Sequence, residues 1–285
     1  MMKEYRSFYK EVVGNEGNKC HYNIRLDTYG CGCQHDCSYC YAKSLLDFRN
    51  LWDEKEPSVA DIKKIERKIS KIPKGTIIRL GGMTDCFQPL EQKAGVTKQT
   101  IELLNRYGIG YLVVTKSDLI CEYMNVLDKD LAHIQISITW APCEKAVSTE
   151  RRIRAVEKLH QAGFDVAVRL SPFIPQFVDF DRLNKIKCDK IIVEFLRVNH
   201  WIKKWLPLDY SDYTVKQSGY EHLPLSKKIE YLSKVTGFDE VSVCEDVTEH
   251  YEYWKECVNH NKEDCCNLRL HTQPHEHTRG DNNVE

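Results

Sequence analysis

The strongest constraint on this chain is a recurring alternation of short β-branched or aromatic runs with amphipathic helical stretches. Strands are predicted at Tyr22–Asp27, Thr76–Leu80, Tyr111–Thr115, Ile134–Thr139, Asp165–Leu170 and Lys190–Leu196, with a weaker seventh at Glu240–Cys244. Helical periodicity fills the intervals at Val59–Ser70, Thr97–Tyr107, Leu119–Asp128, Thr149–Ala162, Asp179–Ile186 and Leu225–Val235. Gly108, Gly163 and Gly237 stand where helices should stop. Repeated strand–helix units imply an α/β fold with a parallel sheet and right-handed crossovers. Six or seven units can close into a partial barrel or stay open as a doubly wound sheet, and periodicity alone does not separate the two. In both, the loops past the strand ends form the functional face.

The expected organisation follows. Residues 1–21 are an N-terminal segment and residues 22–198 the repeating body. Residues 199–221 are a long aromatic connection without clear periodicity, read as a lid or substrate loop. Residues 222–270 complete or cap the body as a helical, Cys-containing extension. The polar tail from 271 to 285 reads as disordered.

Thirteen Cys in a 285-residue chain is an odd, high number. The start lacks a signal-peptide stretch and no run approaches a membrane span, so the expectation is a cytoplasmic protein without a membrane partner. Thiols in that setting serve metal binding or redox chemistry more often than disulfides. Lys+Arg 41 against Asp+Glu 42 leaves a net charge of −1, so a nucleic-acid partner would need a local patch. Arg151, Arg152, Arg154, Lys203 and Lys204 are the candidates, although 151–154 read as a solvated helix start. Trp201, Trp205, Tyr210, Tyr213 and Tyr220 are candidates for stacking on bases.

The most specific motif follows the first strand. Cys33, Cys37 and Cys40 have the spacing C-x3-C-x2-C, with Tyr39 before the last Cys. Thiolates so spaced on one tight loop can converge on an iron–sulfur cube, and three ligands leave one iron open. A zinc site completed by His35 or Cys31, or a set of free thiols, is the plainer alternative.

This loop resembles the cluster loop of the radical SAM superfamily. The wider string from Gly32 to Ala42 resembles the branch containing spore photoproduct lyase and related photolyase-like proteins. The resemblance implies a partial (β/α)6 barrel and a [4Fe-4S] cluster whose open iron chelates S-adenosylmethionine. It also implies reductive cleavage to a 5′-deoxyadenosyl radical that abstracts hydrogen from substrate, with the electron supplied by a reductant of flavodoxin or ferredoxin type. DNA or another nucleic acid is the substrate class implied. A peptide or small metabolite is the alternative, and a non-catalytic iron–sulfur or zinc protein is the alternative of another class.

The strand ends supply further candidates. Gly81 and Gly82 permit close backbone approach, and Asp85 can accept from an ammonium. The segment resembles the superfamily's Gly-Gly-Glu-type stretch for the methionine amino group. Lys116 is a point charge suited to a carboxylate. It resembles the lyase's S-adenosylmethionine-binding Lys, and Ser137 falls where the lyase has a Ser for the same ligand. Arg169, in an apolar strand, requires a partner: Glu194 or the cofactor. Tyr39 and Tyr41 match two lyase Tyr that relay a hydrogen atom from a Cys. The lyase's donor Cys corresponds to Gly82 here, which leaves Cys86 as the nearest candidate thiol. Near the C-terminus, Cys244, Cys257 and Cys265 or Cys266 are candidate ligands of an auxiliary iron–sulfur cluster, or of zinc with His250 or His260. Adjacent cysteines such as Cys265 and Cys266 are expected to diverge.

Overall fold

The computed structural model describes residues 2–13, 16, 19–142 and 144–268. Twelve strands are assigned among them. Tyr9–Glu11 is β1, Ile24–Leu26 β2, Tyr29–Gly30 β3, Ser58–Val59 β4, Ile77–Leu80 β5 and Gly110–Thr115 β6. Ala132–Ile138 is β7, Asp165–Phe173 β8, Lys190–Phe195 β9, Val215–Gln217 β10, Tyr220–His222 β11 and Glu240–Val243 β12. One eight-stranded sheet runs in the order β1-β2-β5-β6-β7-β8-β9-β12. Every pairing from β2 to β12 is parallel, and β1 adds antiparallel to the β2 edge. These are seven parallel strands in chain order; the first six, β2 to β9, with helical segments between them, are the (β/α)6 arrangement, and β12 extends it.

The pleat sorts the side chains. Ile78, Leu80, Tyr111, Val113, Ile134, Ile136, Val168, Leu170 and Val193 belong to one buried apolar core. They pack with Ile65 and Ile69 of helix Ile62–Ile69, Leu104 of helix Val96–Tyr107, and Val156 and Leu159 of helix Thr149–Gln161. Each such burial is worth about 1.5–3 kcal/mol. The alternate positions carry Arg25, Arg79, Gln135, Ser137, Arg169 and Glu194 on the opposite face. A sheet with one apolar face and one mixed face, on which Ile77 and Leu112 join these polar groups, wraps the mixed side around a cavity.

The strand expectations match the sheet closely, while several connections differ. The helix expected at Leu119–Asp128 is a 3-10 segment, Asp118–Glu122, followed by turns. Leu119 and Ile120 are still buried, so the apolar spacing is satisfied without a continuous helix. Asp179–Ile186 forms only one helical turn, Phe180–Leu183. Residues 199–221 are not structureless. Asn199 caps helix His200–Trp205 by accepting from the Ile202 amide at 3.0 Å, and β10 and β11 form a hairpin. The tail from 271 to 285 lies outside the described residues. Among the described residues no helix is long and apolar enough to cross a membrane.

Candidate active site

The loop between β3 and helix Tyr41–Leu46 carries the three cysteines. A Cβ on Gly32 would sit 1.8 Å from the Asp53 carbonyl oxygen, so only glycine lets the loop pass this backbone. Cys40 caps the helix, its Sγ accepting from the Lys43 amide at 3.4 Å. Cys33 and Cys37 are buried, and all three cysteines line one cavity of about 300 Å³.

Burial pushes the Cys33 thiol up to about 12 and raises Cys37 and Cys40 as well. Thiolates at this depth need a compensating positive charge, which a metal centre supplies.

Asp85 ties this loop to the strand ends. Its Oδ1 accepts from Thr115 Oγ1 at 2.7 Å and the Phe87 amide at 2.8 Å. Its Oδ2 accepts from the Lys116 amide at 2.6 Å and lies 3.1 Å from His35 Nε2. Burial opposes ionisation, yet His35 and these donors hold the carboxyl below its ordinary value. Both oxygens are engaged, so Asp85 acts as a clasp rather than as the free ammonium acceptor expected from the sequence. The neighbouring Gly81 has φ +78 and Gly82 approaches Arg25, where a Cβ would lie 2.6 Å from Arg25 Cδ.

Lys116 and Ser137 come together on this wall. Lys116 Nζ donates to Ser137 Oγ at 2.6 Å and to the Ser171 carbonyl at 3.2 Å, and it lies 5.4 Å from the Tyr39 ring centroid. The β8–β9 register shifts between Leu170 and Phe173, and the Ser171 carbonyl in that stretch accepts from side chains. Burial lowers the Lys116 pKa, although the nearby Cys37 opposes this. A half-buried ammonium held by two neutral oxygens is a fitting seat for a ligand carboxylate.

Of the two partners weighed for Arg169, the structure shows Glu194. The guanidinium donates to Glu194 Oε2 and to Gln135 Oε1, each at 2.7 Å, and it also lines the cavity. Tyr41 donates to the Gly82 carbonyl, and the Arg197 guanidinium sits 5.0 Å from its ring centroid.

Cys86 departs from expectation. It is fully buried in the apolar core with Phe87 and is absent from the cavity wall, which Met83, Thr84 and Asp85 form instead. The Asp85 clasp fixes the turn with Cys86 on its core side. Among the C-terminal thiols, Cys244 and Cys265 line the cavity and Cys266 is buried beside them, whereas Cys257 is exposed at a helix end. His250 is engaged by Lys228 Nζ at 3.1 Å.

Two residues behind this wall, Glu144 and Arg152, escape motif reading. Tyr39 donates to Glu144 Oε2, Cys37 Sγ lies 3.7 Å from the same oxygen, and Arg152 NH2 pairs with Glu144 Oε1 at 2.5 Å. Arg152 is 2% exposed, so it is neither a solvated helix residue nor a phosphate contact. Its helix position did carry a signal. Arg152, Val156 and Leu159 form one stripe at helical spacing, and a charge on a buried stripe demands a partner.

A mostly parallel sheet of strand–helix units with three cysteines gathered at its strand ends defines an α/β protein with a thiol site on its functional face. The Radical SAM superfamily model matches residues 28–184, more than half of the chain, and the chain belongs to that superfamily. It is 26% identical over 164 residues to the uncharacterized protein MJ0683 of Methanocaldococcus jannaschii, covering 53% of this chain and 60% of that relative. Its fold is similar to a spore photoproduct lyase double mutant with bound AdoMet and dinucleoside spore photoproduct: TM-score 0.61, 15% identity, 85% and 80% of the two chains. A single-mutant structure of the same lyase gives TM-score 0.64 at 15% identity, covering 84% and 80%.

Proposed function

We propose that this chain is a radical S-adenosylmethionine enzyme that abstracts a hydrogen atom from its substrate. The observation that carries the reading is Lys116, a half-buried ammonium on neutral partners in the cavity that Cys33, Cys37 and Cys40 line. The three cysteines would hold a [4Fe-4S] cluster. Such a cluster, reduced by a flavodoxin or ferredoxin type of partner, supplies a 5′-deoxyadenosyl radical from bound S-adenosylmethionine.

The chain's own residues do the positioning. Lys116 and Ser137 take the methionine carboxylate, and Asp85 holds the His35 side of the cysteine loop against the ends of β5 and β6. Gly82 keeps the backbone close to Arg25 and presents its carbonyl to Tyr41, which faces the substrate volume. Val114, Phe195 and Leu196 give the cavity apolar walls that exclude water.

For the substrate, a nucleic acid is supported by the lyase-like fold, since those lyase structures hold a dinucleoside photoproduct. A small metabolite or peptide is the second reading, and the rim charges favour it. Arg151 is held by Asp118 at 2.6 Å, Lys203 by Glu221 at 2.6 Å, and Arg197 by Asp246. Cations already paired to carboxylates offer little to phosphates.

The test is anaerobic reconstitution followed by dithionite reduction. Wild type should bind about four irons with matching sulfide at this site and release 5′-deoxyadenosine. The combined Cys33→Ala, Cys37→Ala and Cys40→Ala variant should release none. A wild type that binds S-adenosylmethionine without cleaving it would sink the enzyme reading. Salt-dependent retention on single- or double-stranded DNA separates the two substrate readings, and no binding at low salt removes the nucleic acid.

A further inference from the structure

A second group of thiols lies outside the cysteine loop. Cys20 precedes β2, Cys244 directly follows β12, and Cys265 and Cys266 occupy a turn beyond helix Thr248–Cys257. Strand β12 is one edge of the sheet, and β2 lies next to the other. Segments remote in sequence thus bring their thiols to one place: Cys20 and Cys244 pack against the small buried cluster that holds Cys265 and Cys266, and Cys20, Cys244 and Cys265 line one cavity.

The turn is built to aim both adjacent cysteines. Asp264 accepts from the Cys266 amide at 3.1 Å and from the Leu268 amide at 2.9 Å, and Asn267 adopts a left-handed φ of 49. As a result Cys265 Sγ, Cys266 Sγ and an Asp264 carboxylate oxygen all lie within 4.8 Å of one another. The divergence expected of neighbouring cysteines does not occur. Asp264 spends each oxygen on the backbone, which leaves the thiols as the ligand set. Tyr22, Ile77, Leu112 and Leu268 form an apolar floor beneath them.

Isolated buried cysteines behave as small hydrophobes and pack among apolar groups. Four gathered in one small cluster, two of them with sulfurs within 4.8 Å of each other, offer the donor set of a soft or borderline metal. Four thiolates around a divalent ion carry net negative charge. The buried guanidinium of Arg169 lines the same cavity as Cys20, Cys244 and Cys265 and would offset part of it.

We propose that Cys20, Cys244, Cys265 and Cys266 form a second metal site, a tetrathiolate centre that holds either a single zinc ion or an iron–sulfur cluster. Cys257, exposed on its helix, is not part of it. The centre ties the segment entering β2 to the segment leaving β12 and closes the side of the cavity that Cys20, Cys244 and Cys265 line. It does not depend on the cysteine loop.

The test measures zinc, iron and sulfide per full-length chain purified anaerobically. The combined Cys33, Cys37 and Cys40 alanine variant should retain about one zinc, or about four irons with equal sulfide. Adding Cys20→Ser or Cys244→Ser should cut that retained metal at least about fivefold, while adding Cys257→Ser leaves it intact. Zinc without sulfide identifies an ion and iron with sulfide identifies a cluster; each supports the site. X-ray absorption at the edge of the retained metal, in chains with Cys20 and Cys244 intact, should show sulfur ligands only. Cys20→Ser and Cys244→Ser are also placed in the otherwise wild-type chain. Persistence there of the cysteine-loop cluster and of the circular dichroism spectrum separates metal loss from unfolding. No retained metal, metal unaffected by Cys20→Ser and Cys244→Ser, or a shell rich in nitrogen or oxygen overturns the proposal.

Discussion

Lys116 Nζ donates to Ser137 Oγ at 2.6 Å, joining the end of β6 to β7 across the sheet's mixed face. Both residues donate to the Ser171 carbonyl, so three strands converge on one ammonium. A hydrogen bond to a charged group is worth about 1.5–3 kcal/mol, or roughly ten- to hundredfold in affinity. Lys116→Ala should weaken S-adenosylmethionine binding by about that factor, and Ser137→Ala by less, with iron content unchanged. Equilibrium dialysis on reconstituted protein measures it. Unaltered affinity in Lys116→Ala would remove Lys116 from the ligand site.

Glu194 makes acid stability legible. Burial pushes its carboxyl up, but the Arg169 and Arg197 guanidiniums and the Ser171 hydroxyl bring it down from an ordinary 4.5 to about 2. A depressed folded pKa contributes stability that is present above the unfolded value and is lost as pH falls toward the folded one. Wild type should therefore lose stability across the window from about 4.5 down to 2, and Glu194→Gln should be less stable at neutral pH yet flatter in that window. Urea unfolding at a series of pH values reads this. Parallel acid limbs in the two proteins would contradict it.

The strands and the cysteine loop were legible because their signals are local. Ile134, Ile136 and Ile138 alternate with His133, Gln135 and Ser137, and such an alternation has one structural meaning. Cys33, Cys37 and Cys40 share one loop, so their convergence follows from spacing. The rest depends on distance in the chain. Nothing near Glu144 announces that it faces Tyr39 and Arg152, and nothing near Cys20 announces Cys265. Cys86 misled for the same reason: adjacency to Asp85 in sequence put it on the opposite side of the turn from the cavity.

Burial gives Cys86 a different experimental signature from Tyr41. Cys86→Ala should leave both 5′-deoxyadenosine formation and hydrogen return to substrate unchanged, because no part of its side chain reaches the cavity. Tyr41→Phe removes a hydroxyl that holds the Gly82 carbonyl at the cavity wall. It should slow turnover on substrate while leaving iron content intact. Deuterium incorporation from solvent into product distinguishes the two, and a Cys86→Ala enzyme that stalls before hydrogen return would reinstate the thiol.

The Arg152–Glu144 pair is the most deeply buried charge pair beside the cysteine loop, with side chains 2% and 4% exposed. Arg152 also donates to the Ser137 and Thr139 carbonyls, at 2.9 and 3.2 Å, and so braces the strand that carries Ser137. Removing one member of a buried pair strands the other charge and costs about 3–5 kcal/mol, whereas replacing both by apolar groups of similar volume is often near neutral. Arg152→Met should thus destabilise by about that amount, and the double variant Arg152→Met with Glu144→Leu should recover much of it. Glu144→Leu also frees the Tyr39 hydroxyl next to Cys37, so the double variant should regain stability without regaining wild-type S-adenosylmethionine affinity. Denaturant midpoints and dialysis on the same samples measure the two effects. Equal destabilisation in the single and double variants would mean that the arginine's carbonyl contacts, rather than its charge pairing, hold this wall together.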